Sequence, residues 1–143
     1  MHRSDVSSIF GAKQIFRGGV ASRMDLIELS SKGVTKEALL RLASYLRLST
    51  SQMAQLLPVT DRTIQRRMRT QRFNRIVSEQ ILQIAELAAR GTEIFGDKDR
   101  FLSWMKSPSV ALGNRTPMSL LNSRFGMQMV LDELGRIEHG VVS

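Results

Sequence analysis

Six arginines (Arg62, Arg66, Arg67, Arg69, Arg72 and Arg75) fall within fourteen residues with no carboxylate among them. The planar arginine fork matches phosphate oxygens and the guanine edge bidentately, and Gln65, in the same run, can pair with adenine in the same way. The chemistry open to this segment is recognition of a polyanionic duplex, by charge and by hydrogen-bond pattern. The charge balance agrees. The formal net charge is +8; residues 1–74 carry thirteen lysines and arginines against five acids, while residues 75–143 carry eight of each. The whole excess belongs to the first half, which reads as a basic surface joined to a part with a different partner.

Other chemistry is poorly represented. The carboxylates of the second half (Glu79, Glu86, Glu93, Asp97, Asp99, Asp132, Glu133, Glu138) are spaced like solvated helix faces. Asp132 and Glu133 are adjacent, so on a helix they diverge by about 100° and make a poor acid–base pair. There is no Gly-rich phosphate loop and no Ser-His-Asp set. The absence of cysteine removes disulfides, thiolate metal sites and a cysteine nucleophile, and the two histidines, His2 and His139, stand at opposite ends. No enzyme activity, metal or cofactor is expected. Four apolar residues never run together, so no membrane span or signal core is expected and a cytoplasmic protein is the default. With 143 residues, 42% hydrophobic and 24% charged, the chain can bury a core.

The elements that must present the arginines are helical. Thr35 reads as an N-cap, followed by Leu39, Leu42, Ala43 and Leu46 at helical spacing. Ser49 or Thr50 caps a second, short helix carrying Met53, Ala54 and Leu57, which Pro58 stops. Thr60 caps a third, predicted over Asp61–Arg69 with Ile64 and Met68 inward. This is a helix-turn-helix pattern: Ala54 allows close crossing, Val59 plugs the corner, and Ile64 and Met68 anchor the third helix. Pro58 stands where a corner glycine is usual. With Ile64 and Met68 buried, Arg62, Gln65, Arg66 and Arg69 turn outward as the expected base readers. Arg67, Arg72 and Arg75 on the flanks, with Thr60 at the helix start, are the expected phosphate contacts.

The first 35 residues are weakly patterned, broken by Gly11, Gly18, Gly19 and Gly33. A short helix over Arg23–Leu29 is predicted there, with Met24, Ile27 and Leu26 inward, serving as an arm or a contact to another subunit. A longer helix is predicted from near Asn74 or Ser78 to Phe95, on a stripe of Ile81, Ile84, Ala85 and Ala88 broadened by Leu82, Leu87 and Ile94, stopping at Gly96. Residues Arg100–Lys106 form another helix before Pro108. A loop over Pro108–Arg115 turns at Gly113 and Asn114, and Thr116 caps a helix starting at Pro117. After a break at Gly126, Met129, Val130, Leu134 and Ile137 make a last amphipathic helix. The fold class is all-α, in two packed parts, 36–74 and 75–143. A dimer is expected, since helix-turn-helix proteins read paired half-sites; residues 1–35 and the 74–95 helix are both candidates for its contact.

The string Phe101-Leu-Ser-Trp104-Met-Lys-Ser-Pro-Ser-Val-Ala-Leu-Gly113-Asn-Arg-Thr-Pro117-Met-Ser-Leu-Leu121, then Gly126 and Arg136-Ile-Glu-His-Gly140, resembles the C-terminal domain of Xre/MbcA/ParS-type antitoxins. In that family a tryptophan, an Ala-Leu-Gly, a Thr-Pro and a terminal Arg-Ile-Glu-x-Gly recur in this order. The resemblance covers roughly residues 36–141, the Thr63–Arg67 stretch included. It implies a partner: a RES-domain toxin that consumes NAD⁺, whose active-site cleft the C-terminal domain covers while the N-terminal part binds the operon promoter as a dimer. Asn114, Arg115, Arg136, Glu138, His139 and Gly140 become the expected toxin contacts. Trp104, Gly113 and Pro117 read as structural: a core anchor, a tight turn and a helix start. His139 reads as an exposed tail residue or as a group inserted at the toxin's pocket mouth. The alternative is a stand-alone dimeric regulator whose C-terminal half binds an effector or only dimerises.

Overall fold

The computed structural model describes residues 6–10 and 22–140, the side chain of Ser7 excepted. Gly11, Gly18 and Gly19, and the tail beyond Gly140, lie outside the described residues. The elements are α1 (Val6–Phe10), α2 (Arg23–Lys32), α3 (Lys36–Leu46), α4 (Thr50–Ala54), α5 (Asp61–Arg66), α6 (Arg75–Phe95), α7 (Lys98–Met105) and α8 (Arg124–Glu138), with 3₁₀ turns at Val110–Leu112 and Met118–Leu120. The described residues contain no strand, only two isolated antiparallel bridges, Thr35–Arg72 and Ser109–Arg115. The fold is all-α. It divides into two compact units, residues 1–89 and 90–143. The division falls inside α6 and not at the expected 74/75, because the first part of α6 buries Val77, Ile81, Leu82, Ile84 and Ala85 in the first core.

In the first unit α3 supplies the predicted stripe: Leu39, Leu42, Ala43 and Leu46 are all buried. Against it pack α1, through Val6, Ile9 and Phe10, and α4, through Met53 and Ala54. Local signals set the starts of these helices. Ser49 and Gln52 form a reciprocal capping box on α4, and Thr35 accepts from the Ala38 N–H at the start of α3. Ser22 and Asp25 do the same for α2, which is longer than predicted and turns differently. Met24 and Ile27, expected inward, are 63% and 56% exposed; Ser30 is the buried residue of this helix.

The main correction concerns α5. It ends at Arg66 instead of Arg69, Arg67 takes an extended backbone, and Met68, expected in the core, is 68% exposed. The cause lies elsewhere in the chain. The first amides of any helix lack intrahelical partners. At the start of α3 the Lys36 N–H finds the Gln71 carbonyl (2.9 Å), and the Glu37 N–H finds the Arg69 carbonyl (3.0 Å). To deliver those carbonyls the chain after Arg66 must leave the helical path. Lys36 Nζ closes the end of α5 by donating to the carbonyls of Gln65 (3.3 Å) and Arg67 (2.9 Å). Ile64, fully buried, is the side chain of α5 that enters the core.

In the second unit Phe101, Leu102 and Met105 of α7 pack with Leu112, Leu121, Val130 and Leu134. Two glycines here are steric necessities. A Cβ on Gly91 would overlap the Phe101 ring, and one on Gly126 would overlap the Leu120 carbonyl. Gly126 is thus buried inside α8 and is no helix break; the helix starts earlier, on a Ser123 cap whose Oγ accepts from the Gly126 N–H at 2.9 Å. With Gly126 packed on Leu120 the buried face is Met127, Val130 and Leu134, leaving Met129 and Ile137, expected inward, at 44% and 37% exposure. Pro117 starts only a 3₁₀ turn, with Thr116 Oγ1 accepting from the Ser119 N–H at 3.2 Å.

Candidate functional site

The geometry of the basic segment follows from the α4–turn–α5 arrangement. Ala54 is buried where α4 meets α5, Val59 is half-buried at the corner, and Leu56 and Leu57 are buried within the turn while Pro58 points outward. Thr60 caps α5: its hydroxyl accepts from the Thr63 N–H at 3.1 Å and shares a hydrogen bond with the Thr63 hydroxyl at 2.8 Å. That hydroxyl serves the helix itself.

With Ile64 inward, Arg62, Gln65 and Arg66 are exposed on α5, as the 100° step requires. Arg62 and Arg66 make no hydrogen bond or ion pair among the described residues and keep all their donors for a ligand. Gln65 Nε2 donates to Asp61 Oδ2 at 3.0 Å, an i,i+4 contact that holds the amide in one orientation. Asp61 is held in turn by the Ser51 hydroxyl. Arg69 stands outside the helix; among the described residues its ion pair is a loose one to Glu37, 4.0 Å between two well-exposed side chains, which restrains it little.

The flanking arginines divide differently. The Arg67 guanidinium lies over the Phe73 ring, 5.0 Å from its centroid, and Nη1 donates to the Arg72 carbonyl at 3.1 Å. Arg72 Nη1 donates to the Gly33 carbonyl at 2.6 Å, and Arg75 Nε pairs with Glu79 at 3.1 Å. Arg67 and Arg72 hold the 67–73 loop together before they hold anything else. Three residues with no local signal complete that scaffold. Lys36 closes α5, as above. Gly33 has φ +101°, and a Cβ there would lie 2.5 Å from the Phe73 carbonyl oxygen. Ser78, fully buried on α6, accepts from the Val34 N–H (2.8 Å) and donates to the Phe73 carbonyl (3.2 Å). Sequence separations of 29 to 44 residues hide all three from a local reading.

The expected partner contacts lie on two elements of the second unit. Asn114 (φ +64°) and Gly113 (φ +69°) form a left-handed turn closed by the Ser109–Arg115 bridge, with Asn114 and Arg115 exposed at its tip. The others end α8. Arg136 pairs with Glu133 on its own helix, Glu138 pairs with Arg90 at 3.2 Å, and His139 is the exposed C-cap residue beside the left-handed Gly140. Arg90, Gln128, Leu131, Asp132, Gly135, Arg136 and His139 together line a shallow depression. Trp104 is half-buried, its ring 5.6 Å from that of Phe95, so it anchors α7 to the end of α6 with one edge open to solvent. Among the described residues no three His, Cys, Asp or Glu gather as metal ligands, and no helix is long and apolar enough to cross a membrane.

Comparison with known proteins divides the chain in nearly the same place. Residues 25–86 match the antitoxin Xre-like helix-turn-helix domain, and residues 90–140 match the antitoxin Xre/MbcA/ParS C-terminal toxin-binding domain. Two curated proteins named Antitoxin Xre are similar. One, from Yersinia enterocolitica, is 39% identical over 79 residues, covering 54% of this chain and 53% of that protein. The other, from Photorhabdus laumondii, is 38% identical over 73 residues, covering 50% and 49%. The chain thus spans about half the length of the curated relatives it matches. An Xre-like helix-turn-helix domain match followed by an Xre/MbcA/ParS toxin-binding domain match thus makes the chain similar to the Xre antitoxins over both of its parts.

Proposed function

We propose that this protein is the antitoxin of a two-gene pair: it inhibits a RES-domain, NAD⁺-consuming toxin by covering its active site, and as a homodimer it represses its own operon. The observation that carries the DNA half is the pair Arg62 and Arg66, exposed and unengaged on a short helix whose position Ile64, Thr60 and Lys36 fix. The held helix sets where the two arginine side chains begin, and their unengaged forks suit guanine edges. Gln65, oriented by Asp61, suits adenine, and Arg69 stands free enough to reach bases or backbone. Arg75, and Arg67 and Arg72 where their outer nitrogens remain open, contribute charge toward phosphates beside Thr60.

The second unit supports the protein-binding half by its match to the toxin-binding domain and by its end. At the end of α8 the Glu138 side chain is held by a part-exposed ion pair to Arg90, worth at most about 1 kcal/mol, so a partner can take it over cheaply, while Arg136 is fixed more firmly by two hydrogen bonds to Glu133. Asn114 and Arg115, on their left-handed turn, form the other presenting element. Exposed apolar side chains on α2 (Met24, Ile27) and α6 (Ile76) support a subunit contact through these helices.

The test is to express the two genes together. With the neighbouring RES protein, this chain should rescue growth and give a complex that co-purifies. Truncation after Gly135 should abolish rescue while leaving promoter binding intact, and Arg66→Ala should do the reverse, weakening promoter binding by roughly 1–3 kcal/mol. A truncated chain that still rescues, or an Arg66→Ala protein with unchanged promoter affinity at fixed salt, overturns the corresponding half.

A further inference from the structure

Met68 is a large apolar side chain, 68% exposed, inside the arginine run. It is not on a slack loop. The carbonyl before it, on Arg67, accepts from Lys36 Nζ (2.9 Å), and its own N–H donates to Gln71 Oε1 (2.7 Å). The loop beyond it is pinned to the start of α3 by the carbonyls of Arg69 and Gln71, and at its base by Ser78 through Phe73. The fold therefore fixes the backbone on both sides of a methionine and leaves its side chain in water. Two trans peptides separate its Cα from that of Arg66, a reach of at most about 8 Å from the recognition helix.

The surroundings choose the ligand. From Arg62 to Arg75 no acid occurs. A second copy docking here about a twofold axis would set this patch against itself, arginine facing arginine. A duplex meets the charge with phosphates, and the apolar group that its major groove offers is the thymine 5-methyl. Resting on the DNA-binding reading above, we propose that Met68, held by the 67–73 loop, is a further specificity-determining residue that packs on a thymine methyl beside the bases read from α5.

Three proteins test this: the full chain, Met68→Ala and Met68→Leu, each checked for folding by circular dichroism. Each is titrated at several salt concentrations against a duplex from upstream of its own coding sequence and against a scrambled duplex. Met68→Ala should bind the upstream duplex about tenfold more weakly, the scale of burying most of one such side chain. Its affinity for the scrambled duplex, and its dependence on salt, should not change, because no phosphate contact is lost. Met68→Leu should stay near the original. Replacing single thymines by uracil should find one or two positions that weaken the original protein and leave Met68→Ala indifferent. Equal affinity of Met68→Ala and the original, an equal loss on both duplexes, or matching responses to uracil overturns the proposal while the DNA-binding reading stands. So does loss of a dimer on Met68→Ala in gel filtration, which would make Met68 a contact between copies. An original protein that does not distinguish the two duplexes overturns the DNA-binding reading and this proposal together.

Discussion

Replacing Ser78 by alanine tests whether the basic segment is positioned from a distance. The hydroxyl is fully buried and serves two backbone groups, the Val34 N–H at 2.8 Å and the Phe73 carbonyl at 3.2 Å. Alanine strands both. A buried backbone group without a partner costs roughly 1–3 kcal/mol, against a few tenths returned by alanine's better helix propensity. The net loss should be about 2–4 kcal/mol, a large part of the roughly 5–15 kcal/mol typical of a domain. In urea, with m near about 1–3 kcal/mol/M, the midpoint of the first unit should fall by about 1–2 M at unchanged m. Amide exchange adds a local readout: the Val34 N–H should exchange faster than its neighbours on α3, since it alone lost its acceptor. Because Phe73 closes the 67–73 loop, promoter affinity of the folded variant should drop as well. A stability change under about 0.5 kcal/mol, the size of an ordinary surface substitution, would refute the reasoning.

Two further substitutions separate close packing from local propensity and burial from charge. Gly126→Ala sets a gain of about 1 kcal/mol in helix propensity against overlap with the Leu120 carbonyl, which as backbone cannot swing away; thermal unfolding should show a net loss, and a gain would mean that the glycine is merely tolerated. Glu86 lies in the groove between α2 and α6, where desolvation raises its carboxyl above the ordinary 4.5 although Arg23 pulls it down. A raised value favours the protonated form in the fold, so this contribution is present below pH 4.5 and is lost as pH rises through the raised value. Glu86→Gln should therefore stabilise the protein near neutral pH and make no difference in acid, as urea titrations at the two pH values would show; destabilisation at neutral pH would contradict the desolvation argument.

How much of this was legible follows residue by residue. Caps announce themselves within three residues, so Thr35, the Ser49–Thr50 pair and Thr60 marked the starts of α3, α4 and α5, with Ser49 the cap of α4. The stripes of α3 and α6 announced their buried faces by spacing. Ile64 followed from its place in the pattern, and with it the outward turn of Arg62, Gln65 and Arg66. Met68 did not: one further helical turn past Ile64 made it look like core, and nothing nearby says that the chain has left the helix. Gly126 misled in the same way, since a glycine that ends a helix and one that admits a neighbouring carbonyl look alike in a string of letters.

The sequence by itself determined most of the helical elements, the caps that start α3, α4 and α5, the confinement of the net charge to one half and the order of its motifs, because those properties depend on residues within a few positions of one another. Tertiary structure alone decided where α5 stops, which arginines are free and which are struts, and that Met68 faces water. Those outcomes depend on the empty hydrogen-bonding capacity at the start of α3 and on Lys36, Gly33 and Ser78, partners 29 to 44 residues away that fill or supply it. An unsatisfied amide in a folded core has to find its carbonyl wherever in the chain that carbonyl lies.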